Sequence, residues 1–98
     1  MALKYRLEFT QAFTKDLKKL VQKDPNLKPR VEKVLNQLTI DPFYPGLKTH
    51  KAQTKGNGEC QSSRVTGDLR IAWNFVNDNE VILLIAIGGH SGKHKVYN

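Results

Sequence analysis

The stretch that most restricts how this chain can fold is residues 64–89, Arg-Val-Thr-Gly-Asp-Leu-Arg-Ile-Ala-Trp-Asn-Phe-Val-Asn-Asp-Asn-Glu-Val-Ile-Leu-Leu-Ile-Ala-Ile-Gly-Gly. Thr66-Gly67-Asp68 is a turn signal between two runs with strand character. After it, Leu69, Ile71, Trp73 and Phe75 alternate with Arg70, Ala72 and Asn74, the period of a strand buried on one face. Asn77-Asp78-Asn79 predicts a second tight turn. Val81 to Ile87 is unbroken apolar sequence, too short for a typical helix, and reads as a central strand covered on both faces. Gly88-Gly89 ends it, and the remainder of the chain is polar and basic apart from Val96 and Tyr97.

Register makes the first turn informative. With Val65 and Leu69 facing the core and closing a three-residue loop, Arg64 falls opposite Arg70 on the other face. Like charges side by side on a sheet are destabilising. Either the two side chains splay into water or the pair offers a site to an anion.

A chain of 98 residues predicts one domain, spanning residues 1–98. The longest apolar run falls far short of a membrane span, and the N-terminus lacks the apolar core of a signal peptide. A single cysteine, Cys60, forms no internal disulfide, which fits a reducing cytoplasm. The three histidines have no thiol partners at zinc-site spacing, so neither metal nor cofactor is expected. The formal net charge of +7 points to a polyanionic partner, nucleic acid or an acidic protein. Residues 1–40 carry nine Lys/Arg against four Asp/Glu and residues 41–98 seven against five, so the excess sits mostly on the expected helices.

Lys4 to Phe9 alternates as a first strand. Thr10 is a suitable N-cap for a helix carrying Phe13, Leu17, Leu20 and Val21 on one face. Asp24-Pro25 stops that helix, and Asn26 can cap a second, with Pro29 in its first turn and Leu27, Val31, Val34, Leu35 and Leu38 as its apolar stripe. The short break between them predicts an antiparallel helical hairpin. Lys48 to Glu59 reads as a long basic loop, and such loops are often functional. The expected order is strand, helix, helix, then three strands. This is a small α+β domain, its helical hairpin packed on one face of a mainly antiparallel sheet and the other face partly open.

That open side and its margins gather Lys48, His50, Lys51, Arg64, Asp68, Arg70, His90, His94 and Tyr97. RNA can be cut without metal when a base takes the proton of a 2′-hydroxyl, an acid protonates the departing 5′-oxygen and cations stabilise the phosphorane. Histidine suits the proton transfers because its ordinary pKa lies near neutrality. Arginine suits the phosphate because its planar fork binds two oxygens at once.

The element order, the Arg-Val-Thr-Gly-Asp-Leu-Arg-Ile hairpin and the closing Ile-Gly-Gly-His…Val-Tyr resemble the RelE/ParE superfamily of toxins from bacterial toxin–antitoxin pairs, over nearly the whole chain. The likeness is strongest to the YafQ-like and RelE-like branches, ribosome-dependent endoribonucleases that cut mRNA. YafQ-type sequences share the histidine of Leu47-Lys48-Thr49-His50, the aspartate of Gly67-Asp68 and the Gly-Gly-His ending at His90. RelE-type sequences share Arg70 and a tyrosine near the C-terminus, here Tyr97. Where the YafQ pattern has an acid and a histidine before the turn, this chain has Ser62 and Arg64. The RelE lysines of that strand fall at Gln61 and Ser63. His94, Val96 and Tyr97 compete for one C-terminal family position.

The resemblance implies a toxin that cleaves mRNA on the ribosome, with His50, Asp68, His90, Arg70 and Tyr97 as the catalytic set. Lys48, Lys51, Arg64, Lys93 and His94 would hold RNA. It also implies a cognate antitoxin, acidic where it wraps the toxin and folding on binding. Two alternatives stay open at this point: a ParE-like gyrase poison with no chemistry of its own, and an inactivated homologue that only binds antitoxin.

Overall fold

A computed structural model describes residues 5–54 and 58–89. Strand β1 (Arg6–Phe9) leads into helices α1 (Gln11–Lys23) and α2 (Leu27–Ile40), then a 3-10 turn at Pro45–Leu47. Four strands follow, β2 (His50–Thr54), β3 (Gly58–Arg64), β4 (Leu69–Val76) and β5 (Val81–Gly89). They form a five-stranded sheet in the order β1-β5-β4-β3-β2, antiparallel except for the parallel β1–β5 pair. The α+β class and the helical hairpin on one face are as expected. The sheet has one strand more, because the first part of the expected basic loop is β2, paired antiparallel to β3.

Both helices pack on the same face. Phe13 of α1 and Val31, Val34 and Leu38 of α2 meet Leu69, Ile71, Trp73, Ile82, Leu84 and Ile87 in the main core. These strand residues follow the pleat, so the alternation of β4 dictates which side chains the helices cover. The opposite face is less open than expected. A smaller cluster of Cys60, Ala72 and Ile85 is buried there, with Ala52, Leu83 and Ala86 packed against it.

Thr10 joins the two layers. Its hydroxyl accepts the Phe13 amide proton (3.1 Å), so it caps α1 as expected. The single proton of the same hydroxyl is shared between the carbonyls of Leu84 (2.9 Å) and Ile85 (3.1 Å). Between Ala72 and Trp73 the β4–β5 register shifts, since Ala72 pairs with Ala86 and Trp73 with Leu84. Ile85 is thus the extra residue of a bulge, and the helix entry is tied to it. The second cap differs from expectation. Asn26 makes no side-chain cap bond to α2, whose start is held instead by Asp24, with its carbonyl accepting from Leu27 N (3.0 Å) and its carboxylate from Asn26 N (3.2 Å). The Asn77-Asp78-Asn79 turn forms as expected, with all three residues left-handed (φ 55°, 58° and 66°), a conformation that asparagine and aspartate tolerate best among non-glycine residues.

A buried polar relay anchors the connection from α2 to β2. Trp73 Nε1–H donates to Ser63 Oγ at 2.8 Å. Ser63 and Thr49 hydroxyls lie 2.7 Å apart, and Thr49 Oγ1 donates to the Pro42 carbonyl at 2.7 Å. A threonine hydroxyl has one proton, and Thr49 spends it on Pro42, so Ser63 must be the donor to Thr49. Every member is thereby satisfied inside the protein, and residue 49 is fixed relative to β3 and β4.

Candidate active site

Three of the residues singled out from the sequence, His50, Arg64 and Arg70, share one face at one end of the sheet. The ladder pairs His50 with Ser62, Ser62 with Ala72 and Ala72 with Ala86, all on the face away from the helices. In the next row Arg64 pairs with Arg70, as the register argument required, and Arg70 with Gly88. His50 is therefore a diagonal neighbour of Arg64, roughly 7–8 Å away by sheet geometry. Small residues (Ser62, Ala72, Ala86, Gly88) make up the floor beside these long side chains.

His50 lies at the start of edge strand β2, exposed, rather than in a loop. Its Nδ1 is 2.8 Å from the Lys48 carbonyl oxygen. A carbonyl only accepts, so Nδ1 carries the proton, and in the neutral ring Nε2 keeps its lone pair facing outward. Lys48 is left-handed (φ 52°) and caps the 3-10 turn, its amide donating to Pro45 O at 3.1 Å. For a residue with a β-carbon that conformation costs about 1–2 kcal/mol. The relay through Thr49 holds the backbone between the two.

Arg64 and Arg70 take different courses despite facing each other. Arg64 is exposed and runs along the hairpin tip, where its Nε donates to the Thr66 carbonyl at 3.2 Å. Arg70 is half-buried, and its Nε is buried with no hydrogen-bond partner among the described residues. A buried guanidinium proton without an acceptor is costly.

The tip itself is closed by Val65 and Thr66 amides donating to Leu69 O (2.9 and 3.1 Å), with Thr66 Oγ1 accepting the Leu69 amide at 3.0 Å. This puts Asp68 over the end of β5. A β-carbon built on Gly89 would sit 2.7 Å from Asp68 Oδ2, so the carboxylate occupies space that only glycine leaves free. His90 is the next residue in the chain. His90, Lys93, His94 and Tyr97 themselves lie outside the described residues.

Lys51 is not part of this cluster. It pairs with Gln61, which pairs with Trp73 on the helix-covered side, so the pleat turns Lys51 away from His50. Cys60 is 1% exposed, and burial pushes its thiol pKa up, outweighing the hydrogen bond with Thr54 that lowers it. It is a packing residue of the far face rather than a nucleophile. Trp73 is fully buried in the main core with Phe75 packed edge-on (4.9 Å, 85°), as its core-face position implied. Sequence reading missed Arg30, Lys33 and Tyr44. They line, with Arg64, a groove of about 540 Å³ beside the hairpin tip, and no local pattern couples α2 to that turn.

No family model and no curated relative matches the sequence. Solved structures do. The archaeal RelE–RelB complex from Pyrococcus horikoshii contains a chain superposing with a TM-score of 0.71 at 17% identity, over 93% of this chain and 100% of that one. A metal-bound toxin from Helicobacter pylori gives 0.66 at 27% identity, over 88% of this chain and 94% of that one. The DinJ–YafQ toxin–antitoxin complex of E. coli gives 0.59 at 23%, over 90% and 94%. The metal belongs to the Helicobacter protein; among the described residues here, no three His, Cys, Asp or Glu side chains come together to hold one. Nor is any helix among them long and apolar enough to cross a membrane.

Proposed function

We propose that this chain, whose fold is that of the RelE/ParE toxins, is the toxin of a type II toxin–antitoxin pair and acts as a metal-independent endoribonuclease on ribosome-bound mRNA. The observation that carries this reading is the placing of His50, Arg64 and Arg70 on one face at the sheet end where β5 delivers the chain to His90, with Asp68 over the last residue of β5. The scissile phosphate sits between Arg64 and Arg70, whose guanidinium groups offset its charge. Nε2 of His50 takes the proton from the 2′-hydroxyl. The 2′-oxygen then bonds to phosphorus, and the 5′-oxygen leaves with a proton from the second histidine, His90. The products are a 2′,3′-cyclic phosphate and a 5′-hydroxyl. Asp68 orients that second histidine or the substrate, Lys48, Lys93 and His94 hold flanking phosphates, and Tyr97 positions a base.

So few groups on a small exposed surface cannot orient a flexible transcript by themselves. Orientation is worth several orders of magnitude in rate, and the ribosome supplies it. The partner in the absence of translation is an antitoxin with an acidic segment, in keeping with the RelB and DinJ complexes of the structural neighbours and with a net charge of +7.

The test is expression of the chain with and without its neighbouring gene, followed by mapping of 5′ ends on a translated message. Codon-phased cuts carrying 5′-hydroxyl ends are expected. Double-strand DNA breaks with intact mRNA would identify a gyrase poison on the same fold instead.

A further inference from the structure

We propose that the groove between α2 and the β3–β4 hairpin tip is a second RNA-binding site, which seats a phosphodiester on Arg30 and Lys33 and stacks an unpaired base on Tyr44, with Arg64 at its boundary with the arginine pair. It deepens the RNA reading above by adding a contact away from the bond to be cut. The groove holds about 540 Å³ and is lined by three cations and no carboxylate. That volume lies within the range of pockets that enclose small ligands, about 300–1,000 Å³. Arg30 and Lys33 are three residues apart on one helix face, where like charges repel, and the fold brings Arg64 to them from a distant part of the chain. The Arg64 guanidinium is already oriented by its bond to the Thr66 carbonyl, so less side-chain freedom is lost on binding.

Tyr44 separates an RNA strand from a generic anion. It is 50% exposed although it is a large aromatic. Its ring edge lies against Gly46, where a β-carbon would come within 2.9 Å of Cε2. An exposed aromatic held in place beside a row of cations is the arrangement that binds single strands, with the ring stacking a base and the cations following the backbone. An acidic peptide would need the cations but not the ring. Because Arg64 belongs to both this groove and the arginine pair at the sheet end, one strand can run from the candidate active site around the tip and onto α2.

The strand can come from the message or from ribosomal RNA, and the experiment separates them. The full-length protein is titrated against a short, fluorescein-labelled, 2′-O-methylated single-stranded RNA that cannot be cleaved, and separately against small ribosomal subunits. Tyr44→Ala should weaken binding roughly 5- to 150-fold, while Tyr44→Phe should leave it unchanged. Arg30→Gln and Lys33→Gln should each flatten the slope of log affinity against log salt by about 0.7. Loss on the oligonucleotide assigns the site to message, and loss on subunits alone assigns it to ribosomal RNA. The proposal is overturned by absence of binding on both arms, by unchanged affinity and salt slope in the variants, by a Tyr44→Phe loss equal to that of Tyr44→Ala, or by variants that weaken only antitoxin binding. Since the probe is not cleaved, a chain that binds through the groove but never cuts mRNA refutes the nuclease reading alone. A chain that cuts, with Tyr44→Ala binding unaltered, refutes the groove alone.

Discussion

The carboxylate of Asp68 lies over the α-carbon of Gly89, so near that a β-carbon there would stand 2.7 Å from Oδ2 and 3.2 Å from Cγ. Asp68 directly precedes Leu69, the ladder partner of Gly89. The turn thus places its acid beside the point where the chain leaves the sheet toward His90.

Gly89→Ala should therefore displace Asp68 while leaving the fold intact, since the obstructing atoms end an exposed side chain rather than belonging to backbone. We expect the melting temperature to move little and ribosome-dependent cleavage to fall to the level of Asp68→Ala. The double mutant should be no worse than either single one, which is the signature of residues acting through one contact. Additive losses in that cycle would sever the link between the glycine and the carboxylate.

His50→Ala should lower cleavage about 10²- to 10⁴-fold, the usual worth of a positioned acid–base group, and abolish growth arrest. The ring is exposed on an edge strand, so its removal leaves no cavity and thermal melts should superimpose on the wild type. Full toxicity at equal expression would remove His50 from the chemistry.

Ser63→Ala should be a stability mutant. It strips the acceptor from the fully buried Trp73 Nε1–H and the donor from half-buried Thr49. Leaving such groups unpaired costs about 1–3 kcal/mol, and a loss near 2 kcal/mol lowers the melting temperature of a domain this size by roughly 8–16 °C. Denaturation of Ser63→Ala at the wild-type midpoint would show that the relay contributes nothing.

Cys60 should resist alkylation in the native protein at neutral pH and react quickly in denaturant. Its folded pKa is raised by burial, so the proton is bound more tightly folded than unfolded. The stability contribution is complete below the unfolded thiol pKa, about 8.5, and is lost as pH rises through the folded value. A Cys60→Ser chain should lack this alkaline decline. Rapid native labelling at neutral pH would contradict the burial argument.

Several features were legible because their causes are local. The hairpin register follows from Val65, Thr66-Gly67-Asp68 and Leu69 alone, and with it the facing of Arg64 and Arg70. The Thr10 cap and the apolar stripes of both helices follow from residues within a few positions of one another. Strand β2 was not legible: His-Lys-Ala-Gln-Thr has one apolar residue, and an edge strand needs only the backbone groups of β3 to pair with. The companionship of Arg30 and Lys33 with Arg64, the closing of Asp68 over Gly89, and the His50 tautomer set by a left-handed Lys48 were decided by the tertiary structure. Side-chain period records which face of an element is buried, because burial acts on each residue where it stands. Which elements lie beside one another depends on packing between segments far apart in the chain, and no local period encodes that.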